Sequence, residues 1–393
     1  MKVSLVATSI RIPIELEAYA RNAREHGHND VEFIVVGDRR SDLGISSFCH
    51  RLSRNYSPCE YLSIDAQQEY LSTHQSMIWK HLSFDSRQRR IIGMLKAWQN
   101  GADLVICIDS QDKLVEGDFI GSHSHVGRIR MMTVANSSSG WFNPASMLRE
   151  SRGQSFFLRG FPMKQRDNVG TPHFRDQSIA IAANSGSCLG HSDLDATTHL
   201  DHEIQVSGLA PDSPSQLCLA PGTWSPFPAH NLAMKREVIP AFFLSPYVGR
   251  YDDIWASYIV SRIAEHLGEG ISFGSPAVIR NSATANLAKD LEQELVGYRQ
   301  TARFCEALRS IPLCGTSYHE CFGQLASALP AAWTELPKAS GIEIEARNQL
   351  VTGIGIWHEL IASIQARSTS NLLESVSGES PQFSKIAVLS QKP

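Results

Sequence analysis

The chain has 393 residues, 42% hydrophobic and 19% charged, with 36 basic against 40 acidic side chains and a net charge of −4. That length buries a large core and excludes a single small fold. The near-balanced charge excludes broad, non-specific nucleic-acid binding while leaving room for a local basic pocket.

In chain order, residues 1–10 read as a first core strand followed by a polar, Arg-bearing segment, not as a cleaved signal sequence. No stretch approaches a membrane span, so the expected compartment is cytoplasmic. The eight cysteines, at 49, 59, 107, 188, 218, 305, 314 and 321, form no CxxC pair and read as reduced thiols. An apolar run at 3–7, a helical stretch at 14–26 and a second apolar run at 31–36 alternate as in an α/β protein, which predicts a parallel sheet. A helix over 87–100 carries Ile91, Ile92, Leu95 and Trp98 on one face and leads into a buried strand at 103–108. Asp38 and Asp109 then follow strand ends, where ligands gather in open α/β sheets.

From about 120 to 230 the chain is rich in Gly, Ser, Pro and Asn with weak periodicity, which predicts long loops holding the substrate. Residues 253–267 read as a helix with Ile254, Tyr258, Ile259 and Ile263 inward. Helices are also expected at 286–312 and 340–366, and the Ser-rich 368–393 as a loose tail.

The most informative segment is Arg250-Tyr-Asp-Asp-Ile-Trp255. Adjacent carboxylates repel, so Asp252 and Asp253 need water, a metal, a donor or a cation to absorb their charge. The plain alternative is an exposed Asp-Asp loop, and a place at a helix N-terminus also suits that reading. Asp109-Ser-Gln-Asp112, after a buried strand, is a setting in which two carboxylates can hold Mg2+ or Mn2+ against a diphosphate; the bland reading is a turn or cap. Arg89 and Arg90, and Arg159, Lys164 and Arg166 in a loop punctuated by Gly160 and Pro162, can complement phosphate. Trp224 and Phe227 read equally as an aromatic wall for a sugar or as core. The histidines show no HExxH spacing, and no P-loop or nucleophile elbow occurs.

In motif order these stretches resemble the reversibly glycosylated polypeptide family, which includes plant UDP-arabinopyranose mutases, and its bacterial relatives among glycosyltransferases of the GT-A fold. The resemblance covers roughly residues 1–300. Val6-Ala-Thr-Ser-Ile-Arg11 is similar to the first strand and turn, which implies Thr8 and Arg11 at the nucleotide. Gly37-Asp38 resembles the nucleoside-contacting acid, and Arg90-Ile-Ile-Gly93 precedes the acidic motif as expected. Arg159-Gly-Phe-Pro162 is similar to the segment whose Arg is reversibly glycosylated. Asn184 through Ala196, then Asn231-Leu-Ala233 and Gly249 through Trp255, complete the order. Two departures stand out: three consecutive Asp become Asp109-Ser-Gln-Asp112, and a His after the last strand is missing from the stretch that begins at Arg280. Ser187-Cys188-Leu189 also stands where the family has Gly-Leu-Trp.

The resemblance implies a GT-A-like, Rossmann-related single sheet flanked by helices, with a helical C-terminal extension. The expected division is a nucleotide-sugar domain at 1–300, a helical extension at 301–367 and a tail at 368–393. The expected activity is transfer of a sugar from a UDP-sugar donor to a small-molecule acceptor hydroxyl, without nucleic acid or membrane, in a chain that could form a homo-oligomer. Asp253, or else Asp252, would be the base, and Arg159 and Arg166 would stabilise phosphate charge. Thr8, Arg11, Asp38, Arg90, Asp109, Trp224, Asn231 and Arg250 would contact the nucleotide sugar, with Mg2+ or Mn2+ on Asp109 and Asp112. The alternatives are a UDP-sugar pyranose/furanose mutase, with Arg159 holding the sugar transiently, and a non-catalytic nucleotide-sugar binder.

Overall fold

A computed structural model describes residues 1–377 other than 75, 282–285 and 334–340, with backbone alone at 342 and 368–377. The first part alternates strand and helix: β1 (Val3–Thr8), α1 (Leu16–Glu25), β2 (Val31–Val36), α2 (Gly44–Asn55), β3 (Cys59–Leu62), α3 (Ile64–Thr73), α4 (Arg90–Gln99) and β4 (Leu104–Cys107). Then come β5 (Lys113–Leu114), β6 (Ile129–Asn136), β7 (Leu148–Glu150), β8 (His173–Gly190), α5 (Ala196–Asp201), β9 (Val206–Leu209), β10 (Gln216–Leu219), β11 (Leu232–Lys235), α6 (Asp252–Leu267) and β12 (Glu269–Arg280). Three helices follow: α7 (Leu287–Ser310), α8 (Tyr318–Ala332) and α9 (Gly341–Ser377).

One sheet takes the order β3-β2-β1-β4-β11-β8-β6-β10-β12-β5, with β9 joining β7 to β8. The order β3-β2-β1-β4, all parallel, is the first half of a Rossmann-type sheet. The first third thus pairs in parallel as expected, and the sheet as a whole is mixed, since β11 runs antiparallel to both β4 and β8. Because β12 is parallel to β8, strands β1 to β4, β8 and β12 share a direction and end at one edge.

Alternation along the strands loads both faces of this sheet. Val3, Leu5 and Ala7 pack with Leu16, Tyr19 and Phe48 of α1 and α2, whereas Val6, Ile34 and Val36 pack with Ile91, Ile92 and Leu95 of α4. Gly93 lets α4 approach closely, since a Cβ there would sit 2.6 Å from Val6 Cγ1 and 2.7 Å from Val36 Cγ2. The core on the α4 side continues into the C-terminal helices, where Trp255 stacks on Phe304 at 4.7 Å and Trp357 donates to the Pro240 carbonyl at 2.9 Å.

The segment 120–230 is largely connecting chain, as expected, but strands β6 and β8 pair antiparallel within it and carry exposed Ile129, Met131 and Phe174, so no apolar stripe marks them in the sequence. Strand β12 was hidden by Gly270, Gly274 and Pro276, and its pairing with β8 shifts register between Gly274 and Val278. Helix α9 remains helical to Ser377, past the expected start of a tail at 368. Residues 378–393 lie outside the described residues. All eight cysteines are free thiols. Among the described residues no helix is long and apolar enough to cross a membrane.

Candidate active site

The common strand edge gathers charged side chains that lie far apart in sequence. Asp38 follows β2, Asp109 and Asp112 follow β4, Asp193 follows β8, Arg280 closes β12, and His230 precedes the antiparallel β11. Asp252 and Asp253 open α6 within its first turn, where the helix dipole favours anions.

Arg159 is the centre of one half of this cluster. Its Nε donates to both carboxylate oxygens of Asp193 at 3.1 and 3.0 Å, its Nη2 to both of Asp253 at 3.0 Å, and its Nη1 to the Arg250 carbonyl. Burial disfavours its charge, but Asp193 and Asp253 outweigh burial and hold its pKa well above the ordinary arginine value. Burial would likewise raise Asp193, yet Arg159 keeps it well below the usual carboxylate range. Asp253 also accepts from the Ala229 N–H at 2.9 Å. The two neighbouring acids are thus unlike. Asp253 is tied to Arg159, whereas burial and then the Asp253 charge push Asp252 up to about 7. The sequence favours Asp253 as the base; in the structure Asp253 is the member of the pair bound to Arg159. Arg159 has its nitrogens on protein acceptors and joins Asp193, Asp253 and the Arg250 carbonyl.

The other half centres on Arg280. Its Nε and Nη2 lie 3.1 and 2.8 Å from the two oxygens of Asp112, and Nη2 is 3.8 Å from Asp109. Its Nη1 is 3.2 Å from His230 Nε2. Burial, and then Arg280, push His230 well below the ordinary histidine range, so the ring is neutral and accepts. Asp112 is buried, and both its oxygens are engaged. No group of three or more His, Cys, Asp or Glu that could hold a metal occurs among the described residues. Both carboxylates expected to ligate Mg2+ or Mn2+ face Arg280, Asp112 through two hydrogen bonds and Asp109 at 3.8 Å.

The remaining candidates are placed as follows. Asp38 accepts from the backbone N–H groups of Arg39 at 2.7 Å and Ser86 at 3.0 Å, and lies 3.6 Å from Arg89. Arg89 is buried and donates to Gln67 and to the Ser83 carbonyl, so it braces the loop before α4 and is not free for phosphate. Arg90 donates to the carbonyls of Ala229 and Ile108, pinning the β4 end to the β11 approach. Thr8 closes β1 and is half-buried; Arg11 beyond it is exposed. Trp224 is core: it is 1% exposed, and its Nε1 donates to Glu265 at 2.9 Å, so it presents no face to a sugar. Asn231 is buried, adopts φ 48°, and uses its side chain to join His123 and the Ser187 carbonyl. Arg250 reaches Asp290 and Glu294 of α7 and Arg166 pairs with Asp195, so both serve packing.

Between the two halves lies a small cavity of about 30 Å³ lined by Ser185, Ser187, Ser192, Asp193, His230 and Phe273 among others. That is room for water, not for a sugar ring, so a bound sugar needs this wall to open or lies above it. A larger cavity of about 260 Å³ sits beyond Gly186 and presents Glu116 and Asp118. With acids and no base on its wall it suits an anionic ligand poorly. Sequence reasoning placed Asp193 in a family motif without giving it a role, and missed Arg280 and His230 as site members. The missing His after the last strand was the signal for Arg280, since it marked the position.

Fold and site together define an α/β protein with an arginine–carboxylate network at the carboxyl ends of its parallel strands. Among solved structures, the chain is similar to glucosyl-3-phosphoglycerate synthase from Mycobacterium tuberculosis, solved with Mn2+ and UDP-glucose. Identity there is 11%, with 80% of this chain and 81% of that chain covered and a TM-score of 0.40. It is 29% identical over 213 residues to UDP-arabinopyranose mutase 3 of Arabidopsis thaliana, covering 52% of this chain and 54% of the relative. It is 28% identical over 215 residues to the probable UDP-arabinopyranose mutase 2 of Solanum tuberosum, covering 51% and 56%. The chain thus spans about half the length of the curated relatives it matches. The model of the reversibly glycosylated polypeptide family matches residues 68–362, and the chain belongs to that family.

Proposed function

We propose that this protein interconverts the pyranose and furanose forms of a UDP-linked sugar. Support comes from the family, from relatives that are UDP-arabinopyranose mutases, and from one observation above all. Arg159 splits the carboxylate pair, leaving Asp253 fixed as an anion partner and Asp252 able to take or give a proton near neutrality. Such an isomerisation changes no atoms overall. The bond from C1 to the diphosphate breaks and re-forms, one ring C–O bond is exchanged for another, and a proton passes from the hydroxyl entering the ring to the oxygen leaving it. A carboxyl with its pKa near the working pH can serve both oxygens in turn.

Transfer to a separate acceptor hydroxyl is the weaker reading. The base it favours, Asp253, is held by Arg159 and the Ala229 N–H; Asp252, its other choice, would serve transfer as well, so the preference rests on the family and its mutase relatives. Incubation with UDP-arabinopyranose and no acceptor, followed by separation of the nucleotide sugars, tests the proposal. Appearance of the furanose form supports it. Turnover that needs an added acceptor favours transfer, and binding without turnover favours the non-catalytic reading.

A further inference from the structure

We infer that Arg280 takes the place of a divalent cation, so that this protein holds its nucleoside diphosphate by guanidinium groups and without metal. The inference rests on the nucleotide-sugar reading above. The acidic motif Asp109-Ser-Gln-Asp112 provides two carboxylates at the strand edge, the usual number for a magnesium ion that also takes oxygens from phosphate. Here both oxygens of Asp112 are engaged by Arg280 in a two-point, fork-like contact, at 3.1 and 2.8 Å, and Asp112 is only 3% exposed. Asp109 is left with a side chain 26% exposed, but Arg280 Nη2 stands 3.8 Å from it. A cation seated on Asp109 would face that guanidinium at close range, with like-charge repulsion little screened at a half-buried edge.

The surroundings point the same way. Arg280 brings a positive charge to within 3.8 Å of Asp109 and 2.8 Å of Asp112. Asp112 orients the guanidinium from behind, and His230, neutral, accepts from Nη1 at 3.2 Å, so the fork is fixed at the end of β12. Arg cannot be deprotonated and is geometrically matched to phosphate oxygens, which lets it neutralise a departing diphosphate as a metal would.

The test is UDP binding by calorimetry on the intact protein, measured in excess EDTA and in excess Mn2+. The expected result is equal affinity in both, with Arg280→Gln weakening UDP by about tenfold or more in either condition and Arg280→Lys, a point charge without the fork, falling between. Thermal melts of each variant establish that it is folded, and the comparison of wild type in the two buffers needs no variant at all. UDP binding by wild type that requires Mn2+ overturns the inference while leaving the nucleotide-sugar reading intact, as does an Arg280→Gln protein that binds UDP normally. Absence of UDP binding in both buffers overturns the nucleotide-sugar reading and this inference with it.

Discussion

Arg159 Nη2 lies 3.0 Å from Asp253 Oδ2, and the same nitrogen lies 2.8 Å from Asp193 Oδ2, so one guanidinium joins the start of α6 to the end of β8. That contact decides which member of the adjacent acid pair is free for chemistry. It converts a repulsive Asp-Asp dipeptide into a bound anion beside a protonatable neighbour.

Breaking the contact from the acid side leaves Arg159 under-compensated and the Ala229 N–H unpaired. Asp253→Ala is expected to destabilise the protein by about 3–5 kcal/mol, the scale for removing one partner of a buried ion pair. Urea unfolding measures it, and a loss below about 1 kcal/mol would contradict the scaffold role.

Asp252→Asn is expected to lower sugar interconversion by about 10²–10⁴-fold, the scale of general acid–base catalysis. Its stability effect has a defined sign. The folded-state pKa, about 7, exceeds the ordinary 3.8, so the folded state holds the extra proton in that window and loses stability as pH rises through it. The Asn variant escapes that loss. Its melting temperature should exceed the wild-type value above about pH 7, on the order of 2–4 °C, and match it in acid.

His123 is buried between Asn184 and Asn231, and burial pushes it down to about 4. A depressed folded-state pKa means that stability is present above the ordinary 6.5 and is lost as pH falls towards 4. His123→Gln, which cannot titrate, should show a flatter melting temperature between those limits even if its neutral-pH stability is lower. An unchanged acid slope would remove His123 as its source.

Gly93→Ala sets two effects against each other. Helix propensity favours Ala by about 1 kcal/mol. The added Cβ, however, meets branched side chains of β1 and β2 at 2.6 and 2.7 Å, and overpacking of that kind costs about 1–3 kcal/mol. Net destabilisation is expected in a thermal melt, and a stabilised variant would mean that α4 can lift from the sheet.

Much of the framework was legible. The strands at 3–8 and 31–36, helix α4 and helix α6 carry strong local signals, because apolar periodicity reports burial directly. The β6–β8 pair and strand β12 were not visible, since exposed hydrophobics, glycines and a proline blur a strand whose stability comes from distant partners. For the site, the motifs around Asp109, Arg159, Asp193 and Asp252 stood out by residue type. Their roles did not, because a role depends on which charges meet across remote stretches of chain, as Arg280 and Asp112 do at 168 positions apart.

The α/β alternation, the family resemblance and the identity of the charged residues at the strand ends are written in local composition and order. That Asp253 is bound by Arg159, that Asp252 is buried beside it, that Trp224 is core and that Arg280 sits on the acidic motif follows only from the folded arrangement. Charge pairing and burial are set by distances between remote segments, and those distances are fixed only when the sheet brings its strand ends to one edge.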